Sequence, residues 1–352
     1  MVPMRFGIVG CGEIAVRTAE GISQAENAEV AMVMDVNEAL ARDLAERYNV
    51  PYTTQLEDVL SSEQVDAVYI ATPHNLHAPQ AIQCAEAGKH VIVEKPMALN
   101  CEEAKAMIDA CERCGVALSV CFTMRYLPYI QRAKELVQSE VIGRVIGISI
   151  HVLGDKPESY WYGGYTGRAQ TDWRMHRDSS GGGILIMNAV HNIDYLRFIT
   201  GLEVLRVYAE YDTLATSGVD VEDIISVTMR YANGAIGFIE ALSCARGSYG
   251  PSQWAGDRIF GSDGTLVITQ PLRLYTVRED AGFAPHQWVE VTTPPLERSD
   301  RALFIEEFVK AVASGQSPPV SGEDGLASIA VIEAAYRSNE EGHAIEPAQL
   351  MA

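Results

Sequence analysis

The 352 residues suffice for two domains or one large one, with a sizeable buried core. Hydrophobic residues make up 47% and charged residues 21%, and a net charge of -20 argues against nucleic acid or an anionic membrane surface as a partner. No apolar run is long enough to span a bilayer and no basic, apolar and small-residue leader opens the chain, so a cytoplasmic protein is expected.

The first elements carry the sharpest signal. The apolar run Phe6 to Val9 leads into Gly10-Cys11-Gly12 and then a helical pattern from Glu13 to Gln24. This is the strand, glycine turn and helix start of a dinucleotide-binding unit, with Gly10, Gly12 and Ala15 in its three small positions. Gly10 permits the tight turn, Gly12 lets backbone approach a pyrophosphate, and Ala15 lets helix pack on strand. The helix N-terminus offers unpaired N–H groups and a positive dipole end. A second strand, Glu29 to Met34, ends in Asp35, where such units place an acid for the ribose hydroxyls. With Asp35-Val36-Asn37 and no adjacent Arg or Ser, NAD is favoured, with NADP a possibility.

Asn37 caps a helix through Tyr48, and Pro51 ends that unit. Strands are predicted at Ala67 to Ala71, Val91 to Val93 and Val116 to Val120. They alternate with helices at Leu76 to Ala87 and Cys101 to Cys114, the latter closed by Gly115. Beyond residue 122 the character changes. A helix from Pro128 to Gln138 precedes alternating runs at Val145 to Val152, Val204 to Tyr211, Ile224 to Tyr231, Ala235 to Leu242 and Thr265 to Thr269. This is the period of an antiparallel sheet. Helices are expected at Gly183 to Ile199, Ala302 to Ala313 and Leu326 to Asn339. The predicted fold is α/β: a parallel-sheet domain over 1–122 and an α+β domain over 123–352. Tyr160 to Ser180 reads as a long irregular loop, and such loops are usually functional.

The seven cysteines, at 11, 84, 101, 111, 114, 121 and 244, fit reduced, buried thiols in an intracellular chain. Cys111 and Cys114 form a C-x-x-C inside a helix without a second ligand pair, and no His/Asp/Glu cluster has metal-ligand spacing, so no metal is expected.

Two clusters could do chemistry. Val93-Glu94-Lys95-Pro96 directly follows a sheet strand, and ligands bind outside the carboxyl ends of such strands. Gly181-Gly182-Gly183 opens a helix on which Asn188, His191 and Asp194 fall along one side. A lysine is ordinarily a poor base at neutral pH. A dry crevice beside a cationic ring disfavours its charged form and lowers its pKa, whereas an imidazole needs less tuning. Trp161, Arg168, Trp173 and Arg174 read either as a substrate wall, with aromatic faces for sugar rings and guanidinium for hydroxyls, or as loop anchors. Arg125 and Tyr126 are open in the same way. Asp194 is expected to pair with Arg197 or cap a contact.

Together, Gly10 to Ala15, Thr72-Pro73-His74-Asn75-Leu76-His77, Ala87-Gly88-Lys89-His90-Val91, Glu94-Lys95-Pro96, the triple glycine with His191 and Gly322-Glu323-Asp324-Gly325 resemble the signature set of the glucose-fructose oxidoreductase / inositol dehydrogenase (Gfo/Idh/MocA) family. The resemblance runs over essentially the whole chain. It implies an N-terminal Rossmann domain and a C-terminal domain whose open sheet face forms the interface of a homodimer or homotetramer. It implies that the cofactor lies against Gly10, Cys11, Gly12, Glu13, Ile14, Asp35, Thr72, Pro73, His74, His77 and Lys95, with Glu94 beside the nicotinamide ribose. Lys95 would hydrogen-bond the reacting oxygen, and His191 would be the acid/base or share that task. Many relatives carry an Asp four residues before this His. Here that position is Met187, which can neither accept a proton nor orient an imidazole; Asn188 beside it offers only a hydrogen bond.

The expected activity is hydride transfer between NAD and a secondary hydroxyl or ketone of a sugar, sugar acid or cyclitol. Two enzyme alternatives are an NADPH-dependent keto-sugar reductase and a redox-neutral enzyme that uses bound NAD transiently to cleave a glycoside. The alternative of another class is a non-catalytic NAD-binding regulator, against which Lys95 and His191 argue.

Overall fold

The computed structural model describes residues 2–248 and 256–352. The chain divides into two compact units. One comprises Met1–Thr123, Pro157–Gly181 and Glu297–Ile329; the other comprises Met124–Lys156, Gly182–Leu296 and Ala330–Ala352. Two later segments therefore pack with the N-terminal residues.

In the first unit one parallel sheet is formed by β1 (Met4–Val9), β2 (Ala28–Met34), β3 (Tyr52–Thr53), β4 (Ala67–Ile70), β5 (His90–Val93) and β6 (Leu118–Val120); all but the two-residue β3 were expected as apolar runs. Their order is β3-β2-β1-β4-β5-β6, with the switch between β1 and β4. This is the doubly wound order of dinucleotide-binding folds, which bind ligand beyond the carboxyl ends of the strands at the switch. The residues of β4 are all buried, as a strand covered on both faces requires. Helix boundaries follow the caps. Asn37 accepts from the Ala39 amide at the start of Glu38–Tyr48, and Gly115 closes Cys101–Cys114 in the left-handed region at φ 67°.

The late segment contributes the helix Asp300–Ala313, which packs on Glu13–Gln24. Gly21 admits it: a Cβ there would stand 2.8 Å from Arg301 Cγ. Leu76 to Ala87, expected as one helix, begins instead with a 3-10 turn at His74–Leu76 and continues as His77–Glu86. The stretch Tyr160 to Ser180, expected to be irregular, contains the short helices Ser159–Gly163 and Arg177–Ser180 and a 3-10 turn at Trp173–Met175.

The second unit is built on an eight-stranded sheet of β7 (Val145–Leu153), β8 (Val204–Asp212), β9 (Ile224–Tyr231), β10 (Ile236–Leu242), β11 (Asp257–Gly261), β12 (Gly264–Ile268), β13 (Leu272–Thr276) and β14 (Trp288–Val291). The order is β14-β13-β12-β11-β7-β10-β9-β8; the β7–β10 pair is parallel and every other pair antiparallel. Strict alternation sorts the faces. Gly237, Ile239 and Ala241 of β10 are buried, whereas Ile236, Phe238 and Glu240 are exposed. The strands β11, β13 and β14 were not expected, being short and interrupted by Arg, Glu and Gly. The predicted helix Gly183 to Ile199 is broken: a π-helical turn at Leu185–Ala189 feeds the α-helix Val190–Thr200. Among the described residues no helix is long and apolar enough to cross a membrane.

Candidate active site

At the end of β1 the chain turns at Gly10, which sits at φ 90°; a Cβ there would lie 2.7 Å from the Ala71 carbonyl oxygen. Only glycine meets both demands. The Cys11 amide donates to Asp35 Oδ2 at 2.7 Å, and the Asn37 amide to Oδ1 at 2.8 Å. Asp35 thus braces the turn at the position from which it is expected to read a ribose. The Cys11 side chain points into the core, and burial pushes its thiol up to about 12. A Cβ on Gly12 would meet only Ala169 Cβ, at 3.8 Å, so the turn leaves backbone accessible as a phosphate cradle must. These residues fit a dinucleotide.

A loop from the 157–181 segment crosses this turn. Glu13, in the first turn of its helix, accepts from the amides of Tyr165 and Thr166, each at 3.1 Å. The Arg168 guanidinium donates to the Cys11 carbonyl at 3.0 Å and pairs with Asp43 at 2.6 Å. Arg168, a candidate for the substrate wall, therefore lies on the glycine turn. Ile14 follows Glu13 in the helix and is half-buried.

Thr72 and Pro73 follow β4 in the crevice, with Thr72 Oγ1 donating to Gln80 at 2.7 Å. His77 is fully buried, its imidazole between the carbonyl oxygens of Pro96 (Nδ1, 2.8 Å) and Thr72 (Nε2, 3.0 Å). It ties the loop after β4 to the loop carrying Lys95. His74 Nδ1 lies 2.7 Å from the Ser180 carbonyl, and its ring meets Trp173 edge-on at 4.4 Å. Burial, reinforced by the neighbouring His77, holds His74 well below the usual imidazole value.

Lys95 emerges beyond β5, half-buried. Burial lowers its pKa, opposed by the Glu94 carboxylate and assisted by the charges of Arg301 and Arg174. Glu94, expected beside the nicotinamide ribose, is held from behind by protein groups. It is 4% exposed and accepts from Tyr69 at 2.9 Å and from Arg301 at 2.6 Å. Burial alone would raise its carboxyl, but the Arg301 and Lys95 charges hold it at about 2. Trp161, Trp173 and Arg174, open between substrate wall and loop anchor, pack with Tyr160. The Arg174 guanidinium stacks 4.5 Å from the Trp173 ring and 5.3 Å from Tyr160, while Trp161 is buried against Tyr160.

The second unit carries His191, in the first turn of Val190–Thr200, where it is half-buried. Met187 is buried within the π-helical turn, and Asn188 Oδ1 is buried without a hydrogen-bond partner. Three buried acids anchor this helix. Glu222 accepts from the amides of Gly183 and Leu185; Asp257 accepts from Asn192 at 2.8 Å and from the Tyr195 hydroxyl; Asp194 pairs with Arg125 at 2.5 Å. The Arg125 guanidinium also stacks 5.1 Å from Phe198, and Tyr126 follows it in the same 3-10 turn. Arg197, the expected partner of Asp194, engages Glu203 at 2.9 Å.

Glu222, Asp257 and Arg301 were not singled out from sequence. Each sits beside a strand end or helix start where an ion ordinarily faces water, and only distant partners bury it. Among the described residues no group of His, Cys, Asp or Glu is placed to hold a metal ion.

Comparison with known proteins agrees with this architecture. Residues 4–122 match the model of an oxidoreductase family with an NAD-binding Rossmann fold, and residues 130–267 match a GFO/IDH/MocA C-terminal domain. The chain is 30% identical to myo-inositol 2-dehydrogenase of Thermotoga maritima, over 97% of this chain and 98% of the relative. It is 29% identical to D-xylose 1-dehydrogenase (NADP(+)) 2 of Haloferax volcanii, over 97% and 99%. A solved levoglucosan dehydrogenase in complex with NADH superposes with a TM-score of 0.86 at 26% identity, over 98% of this chain and 99% of that one.

Proposed function

Because the chain belongs to the GFO/IDH/MocA family of NAD(P)-dependent oxidoreductases, we propose that it moves a hydride between NAD and a secondary hydroxyl or ketone of a sugar, sugar acid or cyclitol. The observation that carries this reading is Lys95. Its amine stands beyond the carboxyl end of β5, lowered by burial yet backed by the buried Glu94–Arg301 pair, with Arg174 and Trp173 nearby. That placement suits a group that hydrogen-bonds a substrate oxygen and handles its proton.

NAD supplies the hydride acceptor or donor when bound. The glycine turn and Asp35 would hold it, and the Asp35 carboxylate would disfavour a 2′-phosphate. Lys95 orients the substrate oxygen, and His191 accepts or returns the proton, its direction set by the helix it stands on. Met187 stands where many relatives carry an acid, so that position supplies no carboxylate to the imidazole. The same reading makes it a cytoplasmic homo-oligomer joined through the open sheet face, for which the exposed Tyr208, Ile236 and Phe238 are the support.

A panel of polyols and sugars, including myo-inositol, D-xylose, levoglucosan and sugar acids, assayed with NAD and NADP separately by the absorbance of reduced nicotinamide, tests the reading. Turnover of at least one member with NAD is expected, reduced on the order of a hundredfold or more in Lys95→Ala with NADH binding retained. Full turnover in Lys95→Ala would remove this lysine from the mechanism.

A further inference from the structure

We propose that Glu222 is a positioning residue for the reaction: its carboxylate holds the π-helical turn Leu185–Ala189 in place and so sets the direction in which His191 projects. The inference rests on reading His191 as a proton-handling group. The immediate geometry lies wholly within the second unit.

Glu222 lies just before β9 and is 2% exposed. Its Oε2 accepts from the Gly183 amide at 2.5 Å, and its Oε1 from the Leu185 amide at 2.9 Å and the Tyr336 hydroxyl at 2.9 Å. Its own carbonyl takes the Ile184 amide at 3.3 Å. One residue thus captures three consecutive amides at the entrance to the turn. The glycines make this approach possible. A Cβ on Gly183 would stand 1.9 Å from the Glu222 carbonyl oxygen, and one on Gly182, at φ 146°, would stand 2.2 Å from the Tyr336 hydroxyl. The space beside the second and third members of the triple glycine is thus taken up by the Glu222 backbone and the Tyr336 hydroxyl.

The turn so held is wider than an α-helical one, and such turns recur at functional sites. Its consequence is rotational. A π-turn holds one residue more than an α-turn, and each residue of an α-helix advances by about 100°. Were the turn to relax, the segment before it and the helix after it would change phase by roughly that angle. His191 is the second residue of the helix after the turn. Its aim therefore depends on the turn's keeping its extra residue. An anionic carboxylate taking two amides at a helix entrance is the strongest acceptor available there. Burial raises its pKa, and the hydrogen bonds from Leu185, Gly183 and Tyr336 oppose that.

Glu222→Gln keeps the shape but turns an N–H₂ toward amide donors; Tyr336→Phe removes one donor and leaves the carboxylate. Four readouts are taken on full-length protein: the NMR titration of the His191 imidazole, NADH affinity, kcat with the panel member turned over fastest, and thermal midpoint. Glu222→Gln is expected to move the His191 midpoint by about half a pH unit or more, and to lower kcat on the order of ten- to a hundredfold with NADH affinity unchanged. Tyr336→Phe is expected to show the same changes, smaller. In a His191→Asn background Glu222→Gln adds no further loss of kcat. A lowered thermal midpoint with an unmoved His191 titration and normal kcat in both variants would overturn the proposal. So would a full additional loss on top of His191→Asn. If His191→Asn alone leaves kcat intact, the reading of His191 fails, whatever the titration in Glu222→Gln reports.

Discussion

Arg301 and Glu94, 207 residues apart in the chain, form a buried ion pair at 2.6 Å that also takes in Tyr69 and Cys121. The pair fixes the carboxylate adjoining Lys95. Arg301→Met leaves that charge uncompensated in the interior and is expected to cost about 3–5 kcal/mol, whereas Arg301→Met with Glu94→Gln costs less than the single change. The acid limb of stability follows from the lowered carboxyl. Its contribution is complete above the ordinary glutamate value of about 4.3 and fades as pH falls through about 2. Urea melts across this range should show a flatter acid limb in Glu94→Gln; an identical limb would contradict the pairing.

Asp35 accepts from the Cys11 and Asn37 amides at the strand end where a ribose is expected. Asp35→Ser removes the repulsion toward a 2′-phosphate and a charged hydrogen bond toward the ribose. The preference for NAD over NADP, measured as a ratio of kcat/KM values, is expected to fall about ten- to a hundredfold. An unchanged ratio would place cofactor choice elsewhere.

Arg168 bridges the Cys11 carbonyl and Asp43, holding residues 163–170 across the glycine turn together with Glu13. Arg168→Ala frees this loop. NADH affinity by fluorescence titration is expected to weaken about tenfold, in keeping with the loss of charged hydrogen bonds. Full affinity would make the crossing incidental.

Phe238, 44% exposed, stands on the open sheet face with Tyr208 and Ile236, side chains that ordinarily seek cover. If that face joins subunits, Phe238→Glu yields a monomer by light scattering while the wild-type chain is a dimer or larger. An assembly of unchanged mass would exclude this residue from the interface.

The parallel sheet was readable from sequence because its strands are continuous apolar runs and its helices carry local caps such as Asn37 and Gly115. Gly10 and Asp35 were readable for the same reason: the turn's demands are local. What sequence did not convey arises from partners far apart in the chain. Nothing near Arg301 announces Glu94, and nothing near Glu222 announces Gly183. The π-helical turn at Leu185–Ala189 was hidden too, since its residues are as apolar as those of a regular helix. Arg168 stayed open between substrate wall and loop anchor because a guanidinium suits hydroxyls and backbone carbonyls alike; its contacts with the Cys11 carbonyl and Asp43 appear only in the fold.

The proposed chemistry requires Lys95 and His191 to serve one substrate oxygen beside bound nicotinamide. A crystal structure of the protein with NADH and the oxidised form of the panel member turned over fastest tests it most directly. The Lys95 amine and a His191 ring nitrogen are each expected about 2.6–3.2 Å from the same carbonyl oxygen, with the carbonyl carbon facing the nicotinamide. A substrate oxygen held by neither group, or the two groups in separate cavities, would contradict it.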